Sequence, residues 1–378
     1  MATSTAATRS RICSYSSSGG SCGFLITTPL PRTTSQQGRD DTPARTHRSC
    51  IPGCWGLALY ASGVELPAGY RVRAPVPGDL DAVADVLIAD ELDQGGQVVL
   101  GVDFVSDEWS RAGLDLASDA WVVADGAGAI VGYAQATREE PAVVESWGVV
   151  HPAHRGRGLG SSLLNLIEQR ASQMLAGLPS GRFRHSINAG DRAAAAMLQA
   201  RRLRPVRRFW HMQIDLTGPF EPGPAPEGVE ITGIEPASQL PAIHAILDEA
   251  FAEHWGHHSE PFDQWAKEQT GSPGYDPTLW LLATSYGQPA GALTGHVADD
   301  RGWVGYLGVL PSYRGRGIGA ALLHRSFAIF ADRGAQRVIL NVDAENTTRA
   351  TALYEHAGMR VVNRWDLWER LLSNPRVP

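Results

Sequence analysis

The chain has 378 residues, of which 43% are hydrophobic and 19% charged, and its formal net charge is −7. The length suits about two domains, and the composition is typical of a packed globular protein. The acidic balance argues against general nucleic-acid binding, which requires a basic footprint. Because no apolar run reaches the ~18 residues of a membrane span, we expect a cytoplasmic protein with neither a nucleic-acid nor a membrane partner.

The first 62 residues differ from the rest. They are rich in Ser, Thr, Arg, Gly and Pro and hold no hydrophobic period for long, so they cannot bury enough apolar surface to offset the entropy of ordering. We predict a disordered or spurious N-terminal tail over 1–62, with an Arg- and Ser-rich targeting peptide as the alternative. The tail contains all four cysteines, Cys13, Cys22, Cys50 and Cys54. The rest of the chain therefore has no disulfide, cysteine nucleophile or thiolate metal site, and we expect no bound metal.

Hydrophobic periodicity predicts strands and helices over residues 63–217. Period-two alternation indicates strands, and apolar residues three and four positions apart indicate helices. The predicted strands are Tyr70–Ala74, Ala120–Ala124, Ile130–Ala136, Val143–Val150, Arg184–Asn188 and Phe209–Leu216, and the predicted helices begin at Leu80 and span Leu159–Met174.

A similar order of elements returns after a proline-rich segment. Residues 218–228 hold four prolines and predict a stiff linker. Over residues 229–378 the predicted strands are Val229–Ile231, Leu279–Thr284, Ala290–Val297, Trp303–Val309, Val338–Val342 and Val361–Trp368, and the predicted helices are Leu240–Ala252, Ile318–Phe330 and Thr348–Glu355.

Two segments of the chain repeat at a distance of 159 positions. When Val150–Leu164 is set against Val309–Leu323, nine of the 15 residues are identical. A repeat of this length predicts a tandem duplication of an α+β domain rather than a solenoid of short units.

Each copy of the repeat carries the pattern Arg-Gly-Arg-Gly-x-Gly between a predicted strand and a predicted helix, at Arg155–Gly160 and Arg314–Gly319. Glycines let a ligand approach the backbone, the helix N-terminus presents unpaired N–H groups, and the arginines add charge-assisted hydrogen bonds. The pattern therefore predicts an anion site with a pyrophosphate as its natural guest. It lacks both the spacing of a dinucleotide-binding fingerprint and the Lys-Ser/Thr of a P-loop.

This loop and a second motif carry a family resemblance. In the second half, Asn341–Asn346 is followed by Leu353–Met359, which contains Leu-Tyr and a turn at Gly358. Together with the loop, these residues resemble the GNAT superfamily of acyl-CoA-dependent N-acyltransferases over about residues 70–372. The resemblance implies an α+β fold of two tandem GNAT domains, each a mixed, mostly antiparallel sheet flanked by helices. It also implies acetyl-CoA as cosubstrate and a small-molecule amine as acceptor.

The resemblance implies roles for individual residues of the second half. The backbone of Leu307, Gly308 and Val309 should pair with the pantetheine amides, in a strand that splays from its neighbour, and Asn346 should touch the CoA arm. Tyr354 should protonate the leaving thiolate as a general acid, although a core tyrosine on an amphipathic helix is the alternative. The pyrophosphate should lie on Arg314, Gly315, Arg316, Gly317, Ile318, Gly319 and Ala320, and the first half keeps a matching cofactor-binding loop of Arg155, Gly156, Arg157, Gly158 and Gly160.

The first half lacks the general acid. When Asp191 is aligned with Asn346, Gln199 stands at the position of Tyr354. Glutamine has no titratable proton. We therefore predict that the first half is catalytically degenerate and supports the second half or the acceptor site.

Three residues are candidates for the general base that removes the proton of the acceptor. The strand Trp303–Val309 has no acidic residue, in contrast to the glutamate expected in tandem members that acetylate a cysteinyl-glucosaminyl-inositol. Among His296, Asp299 and Asp300 we choose His296, since an unperturbed imidazole pKa of ~6.5 suits a base near neutral pH.

A histidine-rich segment, 254–260, reads His-Trp-Gly-His-His-Ser-Glu. Only His254 and His258 have the helical spacing of a metal site, and no further ligand is evident. In the family the corresponding loop borders the acceptor pocket. We therefore weigh a polar, aromatic lining for a sugar-like or amine acceptor against a solvated loop.

The sequence thus predicts an acetyl-CoA-dependent N-acyltransferase in which the primary amine of a small molecule attacks the thioester directly. Acetylation of a cysteinyl-glucosaminyl-inositol is one alternative, and a non-catalytic acyl-CoA-binding sensor is another. Tyr354 discriminates between enzyme and sensor, because a sensor has no use for a thiolate acid.

Overall fold

The computed structural model describes residues 64–111, 113–271, 274–298, 300–346, 348 and 350–373. The predicted tail over 1–62 and the candidate base Asp299 therefore lie outside the described residues. The described chain shows the predicted α+β class and both halves of the repeat.

Twelve strands of the described residues form one sheet. Its order is β1-β2-β3-β4-β5-β12-β6-β11-β10-β9-β8-β7, and only the pairs β4–β5 and β10–β11 of this ladder are parallel. The strands are β1 Arg71–Arg73, β2 Ala120–Ala124, β3 Ile130–Glu140, β4 Val143–Val150, β5 Ser180–Asn188, β6 Arg204–Asp215, β7 Val229–Gly233, β8 Leu281–Ser285, β9 Gln288–Ala298, β10 Arg301–Val309, β11 Arg337–Asp343 and β12 Arg360–Ser373.

Helices cover both faces of this sheet. In the first half, the apolar side of α1 packs with Val122 and Tyr133, whereas α4 packs with Val123 and Ala134, so the two helices lie on opposite faces. The helices are α1 Leu80–Asp93, α2 Val102–Ser110, α3 Leu116–Asp119, α4 Leu159–Met174, α5 Arg192–Ala200, α6 Pro236–Phe251, α7 Phe262–Gly271, α8 Ile318–Asp332 and α9 Ala350–His356.

The last strands of the two halves exchange places. Strand β12, from the second half, lies between β5 and β6, whereas β6, from the first half, lies between β12 and β11. Each half therefore completes its sheet with a strand from the other half. The halves are one interlocked unit, and neither would keep a complete sheet if it were produced alone.

Oppositely charged side chains pair between β12 and its two neighbours, β5 and β6. The carboxylate of Asp366 on β12 accepts two hydrogen bonds from Arg208 on β6, at 2.6 and 2.9 Å. Glu369, also on β12, accepts from Arg184 Nε on β5 at 3.0 Å. These contacts join the two halves through charge-assisted hydrogen bonds, which are stronger than neutral ones.

Glu91 on α1 is a buried carboxylate at the junction of the halves. Its Oε2 accepts from the backbone N–H groups of Val99 and Leu100 at 2.8 and 3.1 Å, and its Oε1 accepts from Asn363 Nδ2 on β12 at 3.0 Å. Burial outweighs these donors and raises the pKa of Glu91 to about 7.

We expect the contribution of Glu91 to the free energy of unfolding to fall as the pH rises from about 4 to 7. In the unfolded chain Glu91 loses its proton near an ordinary pKa of about 4.3, whereas the folded chain holds it up to about 7. Between these values the folded state holds the Glu91 proton more tightly, so the loss of this proton with rising pH favours unfolding, by about 4 kcal/mol in full. In denaturant titrations, the free energy of unfolding of the wild type minus that of Glu91→Gln should therefore decrease as the pH rises over this range. Equal slopes would contradict this role.

Candidate active site

The glycine-rich loop of the second half leads directly into α8. Gly315 and Gly317 have φ of +76° and +81°, a left-handed conformation that side chains with a Cβ rarely adopt. Gly317 is the N-cap of α8, and as a glycine it has no side chain with which to cap the first N–H groups of the helix. Such a helix start is suited to hold an anion.

Strands β10 and β11 diverge in front of this loop. They pair in parallel only over Arg301–Val304 of β10, and the register of β10 with β9 shifts between Val304 and Tyr306. Beyond the shift, Leu307 and Gly308 keep their β9 partners but have no ladder partner in β11. The predicted splay is therefore present in the second half.

A cavity of about 440 Å³ fills the splay. This volume is within the range of small-molecule and cofactor sites. Its lining joins the end of α6, strand β10, the glycine-rich loop, the end of β11 and helix α9. The lining residues are Phe209, Ala250, Phe251, His254, Trp255, His257, Tyr306, Leu307, Gly308, Val309, Tyr313, Arg314, Gly315, Gly317, Ile318, Gly319, Ala320, Asn341, Val342, Asp343, Asn346, Thr348, Ala350, Leu353 and Tyr354.

Tyr354 lies on α9 and is 8% exposed. Burial raises the pKa of Tyr354 to about 12, so the phenol keeps its proton at neutral pH. It belongs both to the hydrophobic core of the second half and to the cavity lining. The structure thus allows the acid role and also explains why the side chain resembles a core residue.

The two loop arginines have different surroundings. Arg314 lines the cavity, and its guanidinium donates to the backbone oxygens of Val309 at 3.1 Å and Ala250 at 2.9 Å. It therefore fixes the loop to the end of α6 while keeping its positive charge without a carboxylate partner in these bonds. Arg316 is exposed, donates to Ser312 O at 3.1 Å and does not belong to the lining.

His296 lies away from the other predicted site residues of the second half, which line the cavity. It lies on β9, is 4% exposed and stacks on Trp303 with ring centroids 6.1 Å apart. It is absent from the cavity lining, and burial lowers the pKa of His296 to about 3. Asp300 also lies elsewhere and pairs with Arg337 at 2.9 Å. The structure therefore brings neither residue into contact with the cavity.

The histidine-rich segment forms the side of the cavity that faces the first half. His254, Trp255 and His257 belong to the lining. The Trp255 ring lies 4.6 Å from the guanidinium carbon of Arg184 on β5 and 5.3 Å from that of Arg207 on β6. The segment is evident in the sequence, but these partners are not, because they come from strands of the other half.

The matching region of the first half is arranged differently. Its strands β4 and β5 stay paired as far as Trp147 and Ser186, and Ser146 Oγ reaches across to Arg184 O at 2.8 Å. Gln199 is exposed, unlike Tyr354. The pairing of β4 with β5 therefore extends two positions further along the repeat than the pairing of β10 with β11.

The first glycine-rich loop keeps its backbone shape but not its free charge. Gly156 and Gly158 have φ of +72° and +87°, close to the values in the second loop. Arg155, however, donates to Asp93 at 2.6 Å and to Asp90, both on α1. These carboxylates neutralise the positive charge of Arg155, which the sequence predicted to bind a pyrophosphate.

Comparison with known proteins assigns the family. A family model described as "Acetyltransferase (GNAT) family" matches residues 240–359, and one described as "Acetyltransferase (GNAT) domain" matches residues 117–197. A mycothiol acetyltransferase of Cellulomonas flavigena is 35% identical over 258 residues, which cover 63% of this chain and 71% of the relative. The chain belongs to the GNAT acetyltransferase family. A mycothiol acetyltransferase of Streptomyces coelicolor is 33% identical, with 64% and 76% of the two chains covered.

Solved GNAT structures share the fold. A GCN5-related N-acetyltransferase from Sphaerobacter thermophilus has a TM-score of 0.72 and 31% identity, covering 83% of this chain and 99% of that one. A tandem GNAT protein from the clavulanic acid biosynthesis pathway has a TM-score of 0.60 at 18% identity, covering 80% and 98%. The predicted tandem GNAT fold is confirmed.

As a GNAT acetyltransferase, the protein takes its acetyl group from acetyl-CoA, and the second half offers residues that fit it. The edge of β10 at Leu307 and Gly308, which has no ladder partner in β11, and the start of α8 at Gly317 border one cavity. Asn346 also lines it, held by hydrogen bonds from Thr348 to its Oδ1.

No group of three metal-ligating side chains occurs within the described residues. Among the helices of the same residues, none has the length and apolar character needed to cross a membrane.

Proposed function

We propose that the protein acetylates the primary amine of a small molecule by direct attack on acetyl-CoA in the second half, with Tyr354 as general acid. The observation that carries the proposal is the splay of β10 and β11, whose cavity joins the glycine-rich loop to Tyr354. Acetyl-CoA would bind along Leu307–Val309 and on the loop 314–320. Asn346 would contact the CoA arm.

Direct transfer agrees with the residue types present. Every cysteine precedes residue 55, so the acetyl group has no thiol to occupy within the described residues. The amine would attack the thioester carbon, and the sulfur would leave as the proton of Tyr354 reaches it. This proton is present at neutral pH, because the ordinary pKa of a phenol is ~10 and burial raises that of Tyr354 further.

We infer that the first half does not bind a second acetyl-CoA, despite its matching loop. Asp90 and Asp93 form ion pairs with Arg155 and place negative charge beside the loop. Asp191 adds a further negative charge nearby. Burial raises the pKa of Asp90, and the charge of Asp191 also acts to raise it. A pyrophosphate would be repelled there. The strand pairing that continues to Trp147 also leaves less room for a pantetheine arm.

The first half would instead anchor the acceptor side of the cavity. Arg184 is 7% exposed and is fixed by Glu145 at 3.0 Å and Glu369 at 3.0 Å. Its guanidinium then supports the Trp255 ring. A cation–π contact of this kind contributes roughly 0.5–2 kcal/mol.

For Trp255→Leu we expect a rise of about tenfold in the KM for the acceptor, with the KM for acetyl-CoA unchanged, because the lost contact lies on the acceptor side. Trp255→Phe keeps a ring and should lose less. In a double-mutant cycle with Arg184→Gln, the two losses should be non-additive. Additive losses, or a change confined to acetyl-CoA, would contradict the anchoring role.

The proposed activity is tested with the full chain, acetyl-CoA and a panel of amines. The panel contains aminoglycosides, amino sugars, polyamines, amino acids, lysine peptides and cysteinyl-glucosaminyl-inositol. Loss of thioester absorbance gives the rate, and mass spectrometry of the product identifies an added acetyl group without interference from acceptor thiols. Acetyl-CoA binding without transfer to any amine would favour the sensor interpretation instead.

Cysteinyl-glucosaminyl-inositol is the specific acceptor that the similarity to mycothiol acetyltransferases favours. The strand Trp303–Val309 departs from that pattern, because it carries no acidic residue. The acceptor must therefore lose its proton to a group that this strand does not supply.

A further inference from the structure

We propose that the carboxylate of Asp343 determines which acceptors bind, because it accepts a hydrogen bond from a second donor group that the acceptor carries besides its reacting amine. That group is an ammonium or a hydroxyl. The inference rests on the proposed function, because it concerns the acceptor of the same reaction. Among the residues that line the cavity in the described part of the chain, Asp343 is the one with an acidic side chain.

Asp343 is the last residue of β11. It lies beyond Leu340, where the pairing of β11 with β10 ends, so it belongs to the part of the strand that borders the splay. Because side chains alternate along a strand, Asp343 shares a face of β11 with Asn341, which also lines the cavity. The end of β11 therefore adds two polar residues to the lining.

The two carboxylate oxygens of Asp343 have different surroundings. Oδ1 accepts from the backbone N–H of Glu345 at 2.8 Å. Oδ2 lies 3.9 Å from Arg207 Nε, which is longer than a hydrogen bond. Arg207 Nε is a fully buried atom without a partner, whereas Oδ2 is not fully buried, and the Asp343 side chain is 17% exposed. Oδ2 is therefore an oxygen that a ligand in the cavity can reach.

Arg207 does not depend on Asp343 for its position. Its guanidinium donates to Glu345 Oε2 at 2.8 Å, and its guanidinium carbon lies 5.3 Å from the centroid of the Trp255 ring. The contact with Asp343 is the longer of its two ion pairs. A donor group that binds at Oδ2 would leave the contacts with Glu345 and Trp255 intact.

Asp343 lies toward the acceptor side of the cavity. Arg207 connects it with Trp255, which belongs to the side that faces the first half. Burial lowers the pKa of His254 in the same segment, and the charge of Asp343 opposes this, so the two side chains are close. A carboxylate repels a pyrophosphate and attracts N–H and O–H donors. Its natural partner is therefore the acceptor and not the charged end of acetyl-CoA.

The test compares Asp343→Asn with the wild type on cysteinyl-glucosaminyl-inositol or, if it is inert, on the panel amine with the highest turnover. The amide oxygen of asparagine can still accept from the Glu345 N–H, but an N–H donor replaces Oδ2. We expect the KM for the acceptor to rise about 10- to 100-fold, the range for a lost hydrogen bond to a charged group. The KM for acetyl-CoA should stay constant.

Glu345→Gln is the matched control. It removes the same charge two positions along the chain and weakens the shorter ion pair of Arg207. Glu345 is exposed and does not belong to the cavity lining, so the KM for the acceptor should stay within about twofold of the wild type. An acceptor KM unchanged in Asp343→Asn, or raised equally in Glu345→Gln, would overturn the proposal.

A series of small amines identifies the donor group. Diaminobutane carries a second ammonium, aminobutanol carries a hydroxyl and butylamine carries neither. Measured as competitors of the acceptor, one or both of the first two should bind the wild type about tenfold more tightly than butylamine. Asp343→Asn should abolish this difference, and the compound that loses its advantage identifies the group.

Equal competition by all three amines in the wild type, or an equal loss for all three in Asp343→Asn, would contradict a contact with a second donor group. Turnover of the acceptor in either case would leave the proposed function standing. Absence of turnover by the wild type on every amine would overturn the proposed function and the role of Asp343 with it.

Discussion

Replacement of Tyr354 by phenylalanine should lower kcat by about 100-fold or more, the range expected when a general acid is lost. The substitution removes one hydroxyl group from a side chain that is 8% exposed, so the packing of the ring is preserved. The KM for acetyl-CoA should change little, because the phenol acts on the departing sulfur and not on the pyrophosphate. Steady-state rates of thioester loss provide the measurement.

Gln199 provides the control in the first half, since it occupies the equivalent position and is exposed. Gln199→Ala should leave turnover within about twofold of the wild type, because surface substitutions are usually nearly neutral. If the double variant Gln199→Tyr and Tyr354→Phe recovered near-wild-type turnover, the first half would be the catalytic one and the assignment of Tyr354 would be wrong.

Gly317→Asp should raise the KM for acetyl-CoA at least roughly tenfold, equivalent to about 1.4 kcal/mol. Asp tolerates the left-handed region better than most residues and is a good N-cap, so α8 should still form. Its carboxylate would accept from the helix N–H groups and repel the pyrophosphate. Gly317→Asn should have a smaller effect, because it adds a cap without a charge.

Gly158 is a close match for Gly317. Its φ is +87°, and a Cβ built on it would lie 3.5 Å from Pro67 Cγ, against 3.4 Å between Gly317 and Pro226 Cγ. Gly158→Asp therefore imposes the same backbone strain at the same position of the first half. It should leave the KM for acetyl-CoA unchanged, and an equal rise in both variants would contradict the use of one loop only.

Much of the fold could be predicted from local pattern. The strand Val143–Val150 and the helix Leu159–Met174 have the predicted bounds, because their apolar periodicity is long and their glycine and proline boundaries are clear. The short helices α2, α3, α5 and α7 were missed, since none of them exceeds ten residues and a helical period is hard to recognise over so few turns. The exchange of β6 and β12 could not be predicted either, because an alternating strand pattern fits one antiparallel neighbour as well as another.

The candidate site also combines features that the local sequence predicts with features that depend on the tertiary fold. The glycine-rich loop was recognisable because positive φ requires glycine at Gly315 and Gly317, and Tyr354 was recognisable from its motif. His296 was chosen by residue type and position near a turn, but burial against Trp303 is a tertiary property. The contact of Trp255 with Arg184 and Arg207 also depends on how a loop folds, which spacing alone does not specify.

The central claim is that one half of a duplicated chain binds acetyl-CoA and performs the transfer. Calorimetric titration of the full chain with acetyl-CoA tests it most directly. We expect one binding site per chain, which Gly317→Asp weakens and Gly158→Asp does not. Two sites per chain, or a single site that is lost in Gly158→Asp and kept in Gly317→Asp, would contradict it.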